Sequence, residues 1–333
     1  MILACLLALA ATPVHAEGLR FDVASKPYLD LYFHVRTLAG SKEPLPELAG
    51  LAQAVEAARA LDAQLGGILE WGVIDGLLGE CATAKEGSAA LADVPESITL
   101  RSGKQVELRA GAVKLAQALA AAEPAFLEKL WPEHKRAVDA AAAGLLKDFG
   151  GKEGECLAFV AKSLALAPEP RAIPVRLVYQ VPFPGAVTQL SSARAGVCFV
   201  GVHDLARTQL CEIVLHESTH ALDVATAAPK EGEAGSVLDE LRARLEKAGL
   251  TRKDREWRDV PHTLMFVQAG ETIRRLVDPK HEHVGVVSHY YDKVRAVADV
   301  ELPAWKDYLD GKSTRAEALE KIVAGVLGAR KPR

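Results

Sequence analysis

Aromatic residues are scarce in this chain: Phe, Trp and Tyr make up 5% of its 333 residues. Basic charge is not in excess either, since the formal net charge is −4. A chain so balanced offers no positive field for nucleic acid or an anionic membrane surface. Neither G-x-G-x-x-G nor G-x-x-x-x-G-K-[ST] occurs, so nucleotide binding has no support. There is no C-x-x-C pair, which argues against a zinc site built from cysteines. Beyond the first residues no apolar run reaches the roughly 18 residues that a membrane helix needs.

What is present is an alanine-rich chain, 49% hydrophobic and 25% charged. That is the composition of a globular protein with a large core, and it points to mostly helix. Ile2 to Ala11 form an apolar run, and Val14-His15-Ala16 offers a small-x-small cleavage site before Glu17. Residues 1–16 therefore read as a signal peptide, although no Lys or Arg precedes the run. Export to the periplasm or medium of a bacterium is the expectation. Removing that segment leaves Cys81, Cys156, Cys198 and Cys211. Four cysteines in an oxidising compartment fit two disulfides, with Cys198–Cys211 and Cys81–Cys156 favoured; the other reading is four buried thiols.

Residues 17–167 read as a helical N-terminal region. Leu48, Leu51, Val55, Ala58, Leu61 and Leu65 recur at three- and four-residue steps until Gly66-Gly67. A helix over 68–81 follows, then a small hairpin over 96–109 turning at Ser102-Gly103-Lys104. Helices over 110–147 are expected to break near Glu123-Pro124, and another runs over 153–166. From Pro168 the pattern changes. Strands are expected between Ala172 and Val202, and a helix from about Arg207. The fold class is α+β and mostly helical, with a small sheet in residues 168–333.

That helix carries His216-Glu217-Ser218-Thr219-His220, an H-E-x-x-H motif. Residues four apart share a helix face, so both imidazoles can reach one metal ion, with Glu217 beside it. Ile213, Val214 and Leu215 before the motif, and Ala221 and Leu222 after it, make the helix a buried one. Buried polar groups need a partner, and zinc supplies it.

Catalytic zinc takes three protein ligands and keeps one position open. Asp223 and Thr226 stand where a metzincin needs Gly and His, which excludes that class. Glu240 follows His220 by 20 residues but falls on the polar side of its helix with Ser236, Arg244 and Lys247. Glu271 lies on a helix expected to open at Pro261, on one face with Leu264 and Val267, with Gly270 permitting a close approach. A buried Glu is rare unless ligated or paired. Glu271 is therefore the expected third ligand, and a salt bridge to Arg274 or Arg275 is the competing reading. His203 and His262 carry no assignment. His34 and His134 read as surface or packing residues, and His281 and His283 as exposed loop residues.

With these residues in place, residues 172–295 resemble the gluzincin group of zinc metallopeptidases, in which H-E-x-x-H supplies two ligands and a Glu on a later helix the third. Phe266 to Arg275 is also similar to the glutamate helix of uncharacterised exported bacterial zincin-like proteins. The resemblance implies a zincin-like core, one Zn2+ per chain, and a peptide or protein substrate. Zinc lowers the pKa of a bound water to about 7, and Glu217 would act as general base. The resemblance also implies a Tyr or His that stabilises the oxyanion, for which His289-Tyr290-Tyr291 is the candidate cluster, with Tyr290 and Tyr291 as the residues expected to act. Asp223, one turn past His220, is a candidate to orient a ligand. The strand around Cys198 is expected to pair with an extended peptide. The alternative is an exported zinc-binding scaffold or interaction protein that holds the metal without turnover.

Overall fold

The computed structural model describes residues 18–42, 44–100, 102–166, 172–182, 185–190, 196–203, 205–225 and 235–329. The expected signal peptide lies outside the described residues. The chain opens with β1 (Arg20–Ala24), α1 (Pro27–Gly40) and α2 (Leu51–Leu65), then a 3-10 turn, α3 (Gly72–Leu78) and α4 (Ala84–Ala92). The hairpin β2 (Ser97–Thr99) and β3 (Gln105–Glu107) leads to α5 (Arg109–Lys129), α6 (Trp131–Phe149) and α7 (Glu153–Ser163). Next come β4 (Ala172–Val178), β5 (Ala186–Leu190), β6 (Gly196–Gly201) and α8 (Arg207–Ala225). The rest is helical: α9 (Val237–Lys247), α10 (Arg255–Leu276), the single turns α11 (Val284–Val287) and α12 (Tyr290–Lys293), α13 (Arg295–Leu309) and α14 (Arg315–Ala329). The architecture is thus mostly helical around a small sheet. Among the described residues no helix is long and apolar enough to cross a membrane.

The sheet runs β1-β4-β6-β5, with β1, β4 and β6 parallel and β5 antiparallel at the edge. Each face covers its own core. Along β6, Cys198 and Val200 enter a core with α6 to α10, α13 and α14, while Val197 and Phe199 enter a second core with α1 to α5. This is strand alternation in a sheet buried on both faces. The boundary expected near Pro168 therefore does not separate two packing units. β1 pairs with β4, and α6 and α7 pack with α8.

Local chemistry explains most element ends. Gly66, at φ 77°, closes α2 with its N–H on the Asp62 carbonyl, as left-handed glycines do. Gly103 (φ +83°) turns the hairpin where expected. Two prolines lie inside helices that they are expected to break or to open. Pro124 sits inside α5, and the break comes at Leu130. Ala122 and Phe126 on either side of Pro124 are fully buried, and that packing outweighs one lost helix bond. Pro261 likewise lies inside α10, which begins at Arg255.

All four described cysteines are free and buried, so neither expected disulfide forms. Cys81 and Cys156 belong to different cores on opposite sides of the sheet. Cys198 and Cys211 share a core, but Cys211 turns its thiol toward the Leu145 carbonyl.

His34 and His134 are both buried. His134 Nδ1 lies 2.5 Å from Asp30, and the His34 ring meets the His134 ring edge-on at 5.2 Å. Burial, and then the neighbouring His134, push the His34 pKa down to about 4, against a smaller pull from Asp30. A folded-state pKa below the unfolded value of about 6.5 means that the unfolded chain binds more protons, so stability is lost as pH falls from 6.5 toward 4. The shift corresponds to about 3 kcal/mol. Urea unfolding at pH 7.5 and 4.5 should show a loss that is smaller in His34→Gln than in the wild type, the lowered His216, His220 and His262 contributing the remainder in both. An equal pH dependence in both proteins would refute the assignment.

Candidate metal centre

α8 lies against β5 and β6 on one side and α10 on the other. The approach to β6 is close. A Cβ on Gly196 would stand 2.5 Å from the Ala221 Cα, so only glycine lets the strand meet the helix just past His220. This contact fixes the depth of the H-E-x-x-H motif under the sheet. His216 is 2% and Glu217 6% exposed, and Ser218 and Thr219 are fully buried. Ser218 and Thr219 donate to the carbonyls four residues back, so neither competes for the site.

Three imidazoles converge there: His216, His220 and His262, with ligand atoms all within 4.8 Å of one another. Ring centroids are 4.9 Å (His216–His220), 5.1 Å (His216–His262) and 5.4 Å (His220–His262) apart, nearly an equilateral triangle. His216 Nε2 faces His220 Nε2 at 3.3 Å. Two basic ring nitrogens aimed at each other in a buried place fit a cation between them. Burial first, then the neighbouring histidines, hold His216 far below the ordinary imidazole range and His220 at about 3; burial also lowers His262. Neutral imidazoles are the form that ligates metal. Three imidazole nitrogens at this spacing are a donor set that zinc accepts.

Glu271 is not part of this group. It follows His262 by nine residues on one helix, which places it about half a turn out of phase and ~13.5 Å further along. Its carboxylate lies 3.2 Å from Arg274, 3.2 Å from Arg275 and 3.4 Å from His283. The approach that Gly270 permits is that of the His283 ring, 2.6 Å from where a Cβ would be. So Glu271 is buried as expected, but ion pairs satisfy it. The third residue beside His216 and His220 is His262.

Glu217 sits about 60° around α8 from His220 and 100° from His216. The Thr188 hydroxyl on β5 lies 2.6 Å from Glu217 Oε2 and 2.8 Å from the Glu217 carbonyl oxygen. Burial pushes the Glu217 carboxyl up to about 7, against the opposing hydrogen bond from Thr188.

Of the tyrosines, Tyr290 reaches the centre and Tyr291 does not. The Tyr290 hydroxyl lies 3.0 Å from His262 Nδ1 and 3.1 Å from Thr263 Oγ1. A metal at His262 Nε2 would leave Nδ1–H to donate to the Tyr290 hydroxyl, which would fix tautomer and ring orientation. That makes Tyr290 a positioning residue. Tyr291 packs its ring on Gly285 and places its hydroxyl 3.3 Å from His283 Nδ1. His289 is exposed and pairs with Asp292. Asp223 bonds Arg242 and Ser236, tying α8 to α9, and no histidine is among these partners. Glu240 pairs with Arg244 and Arg315.

Three further expectations change. His281 and His283 are buried, His281 against the fully buried Glu212 of α8. The Cys198 strand, β6, is bonded on both sides, so no peptide can join it. The sheet edge beside the motif helix is β5, the strand that carries Thr188. Comparison of the chain with family models, with curated proteins and with solved structures found no match.

Proposed function

We propose that this chain is a zinc-dependent metallopeptidase with one Zn2+ held by His216, His220 and His262. One observation carries the reading: three imidazoles, His216 buried and His220 and His262 half-buried, converge beside a buried carboxylate one residue from the first of them. When bound there, zinc supplies Lewis acidity and brings the pKa of a coordinated water near 7. Glu217 accepts the proton of the attacking water and passes it to the leaving amine. Thr188 holds the Glu217 carboxylate toward that task, and Tyr290 holds His262. An extended peptide would lie along β5, whose outer side is free of any described strand. A zincin-like arrangement of sheet, edge strand and motif helix is part of the same proposal. Because the cysteines are free, export now rests on the N-terminal apolar run alone.

The test is metal removal. Purified protein should contain one zinc per chain, and a chelator should abolish peptide hydrolysis. Stoichiometric zinc should restore it. Hydrolysis that survives complete removal of metal would overturn the reading.

A further inference from the structure

A cavity of ≈ 350 Å³ adjoins the metal centre. Phe266 is the wall between them: its ring stacks on His216 at 3.7 Å and also lines the cavity. Tyr290, bonded to His262, lines it too. On α8 the lining residues Gln209 and Ile213 are two turns and one turn before Glu217, so the cavity continues the helix face that carries the motif. Its volume is at the lower end of the ~300–1,000 Å³ typical of ligand pockets, room for one large side chain and not for a long chain. Apolar groups dominate the lining, among them Val181, Leu205, Ile213, Phe266 and Val287. Among the described lining residues none is a carboxylate, and Lys293 is the one cation.

We propose that this cavity is a specificity pocket, which takes a bulky apolar side chain next to the scissile bond and rejects a basic one. This rests on the peptidase reading above. Burying an apolar side chain there gains its transfer free energy, whereas a Lys or Arg side chain would lose hydration beside Lys293 with no described carboxylate to meet it. Val287 is 44% exposed and stands at the rim, so enlarging it narrows the pocket without disturbing either core.

Peptides varied at the residues flanking the cleaved bond test the proposal. Phe or Leu at one of these positions should raise kcat/KM about tenfold or more over Gly, and Arg there should be cut least. Val287→Trp should erase the preference for Phe while zinc content stays at the wild-type value. Binding supplies a readout independent of turnover: saturation-transfer NMR on the zinc-loaded chain should detect N-acetyl-phenylalaninamide and not N-acetyl-glycinamide, with the signal lost in Val287→Trp. Equal signals for both amides, or an undiminished signal in Val287→Trp, would overturn the pocket. Selective binding without any hydrolysis would support the pocket and defeat the peptidase reading; zinc-dependent hydrolysis without selectivity would do the reverse.

Discussion

His262→Ala should abolish stoichiometric zinc binding, whereas Glu271→Gln should keep one zinc per chain. Tightly held zinc in a four-ligand protein site is worth roughly 10–16 kcal/mol, so one ligand in four represents about 3 kcal/mol, more than a hundredfold in affinity. His262 stands inside α10, a helix packed against α7, α8, α9, α11 and α13, and with His216 and His220 it completes the one three-residue donor group among the described residues. Glu271 has other work. Arg274, Arg275 and His283 surround its carboxylate, and Arg275 also bonds Asp310 and the Leu309 carbonyl near the end of α13. Neutralising Glu271 should therefore lower stability by about 1–3 kcal/mol, seen in a urea melt, with zinc still bound. Metal analysis by mass spectrometry of the two variants beside wild type decides the matter. Zinc lost from Glu271→Gln and kept in His262→Ala would reinstate the glutamate as ligand.

The sequence made the motif helix legible because H-E-x-x-H has a fixed spacing and apolar flanks, and α8 runs where that pattern puts it. The strands from Ala172 onward and the 96–109 hairpin followed from β-rich runs and Gly103. The third histidine of the cluster was not legible, for a definite reason. Selecting Glu271 by its apolar face assumes that the helix has one face inside and one outside. In α10 nearly every residue from Val260 to Ile273 is buried, because the helix packs against α7, α8, α9, α11 and α13. A helix buried all round gives burial no power to choose between its sides. Starting the helix at Pro261 compounded this, since it put His262 at a frayed end and not in the third turn. The stripe His262, Phe266, Ala269, Ile273, at steps of four, three and four, was the signal that could have found the ligand. β1 escaped notice too: Arg20–Ala24 is short, and its pairing with β4, some 150 residues later, leaves no local trace.

Glu217→Gln should retain one zinc per chain and lose hydrolysis by roughly 10²–10⁴ in kcat, the usual worth of a positioned general base. The substitution keeps shape and leaves the three histidines untouched. The amide can still accept from Thr188, so the α8–β5 contact should persist and the thermal melt should barely move. What it removes is proton acceptance. This is the property on which the enzyme and the non-turnover scaffold differ, since both hold zinc through the same imidazoles. The geometry favours the enzyme. A scaffold needs ligands alone, and a buried carboxylate beside them is costly unless it serves a purpose. Here burial alone raises the carboxyl to about 7, and a dication at the histidines would draw it back toward the carboxylate that accepts a proton. Turnover by Glu217→Gln equal to wild type would remove Glu217 from the chemistry. A wild-type protein that binds one zinc and cleaves no peptide in a broad library would assign the fold to binding instead.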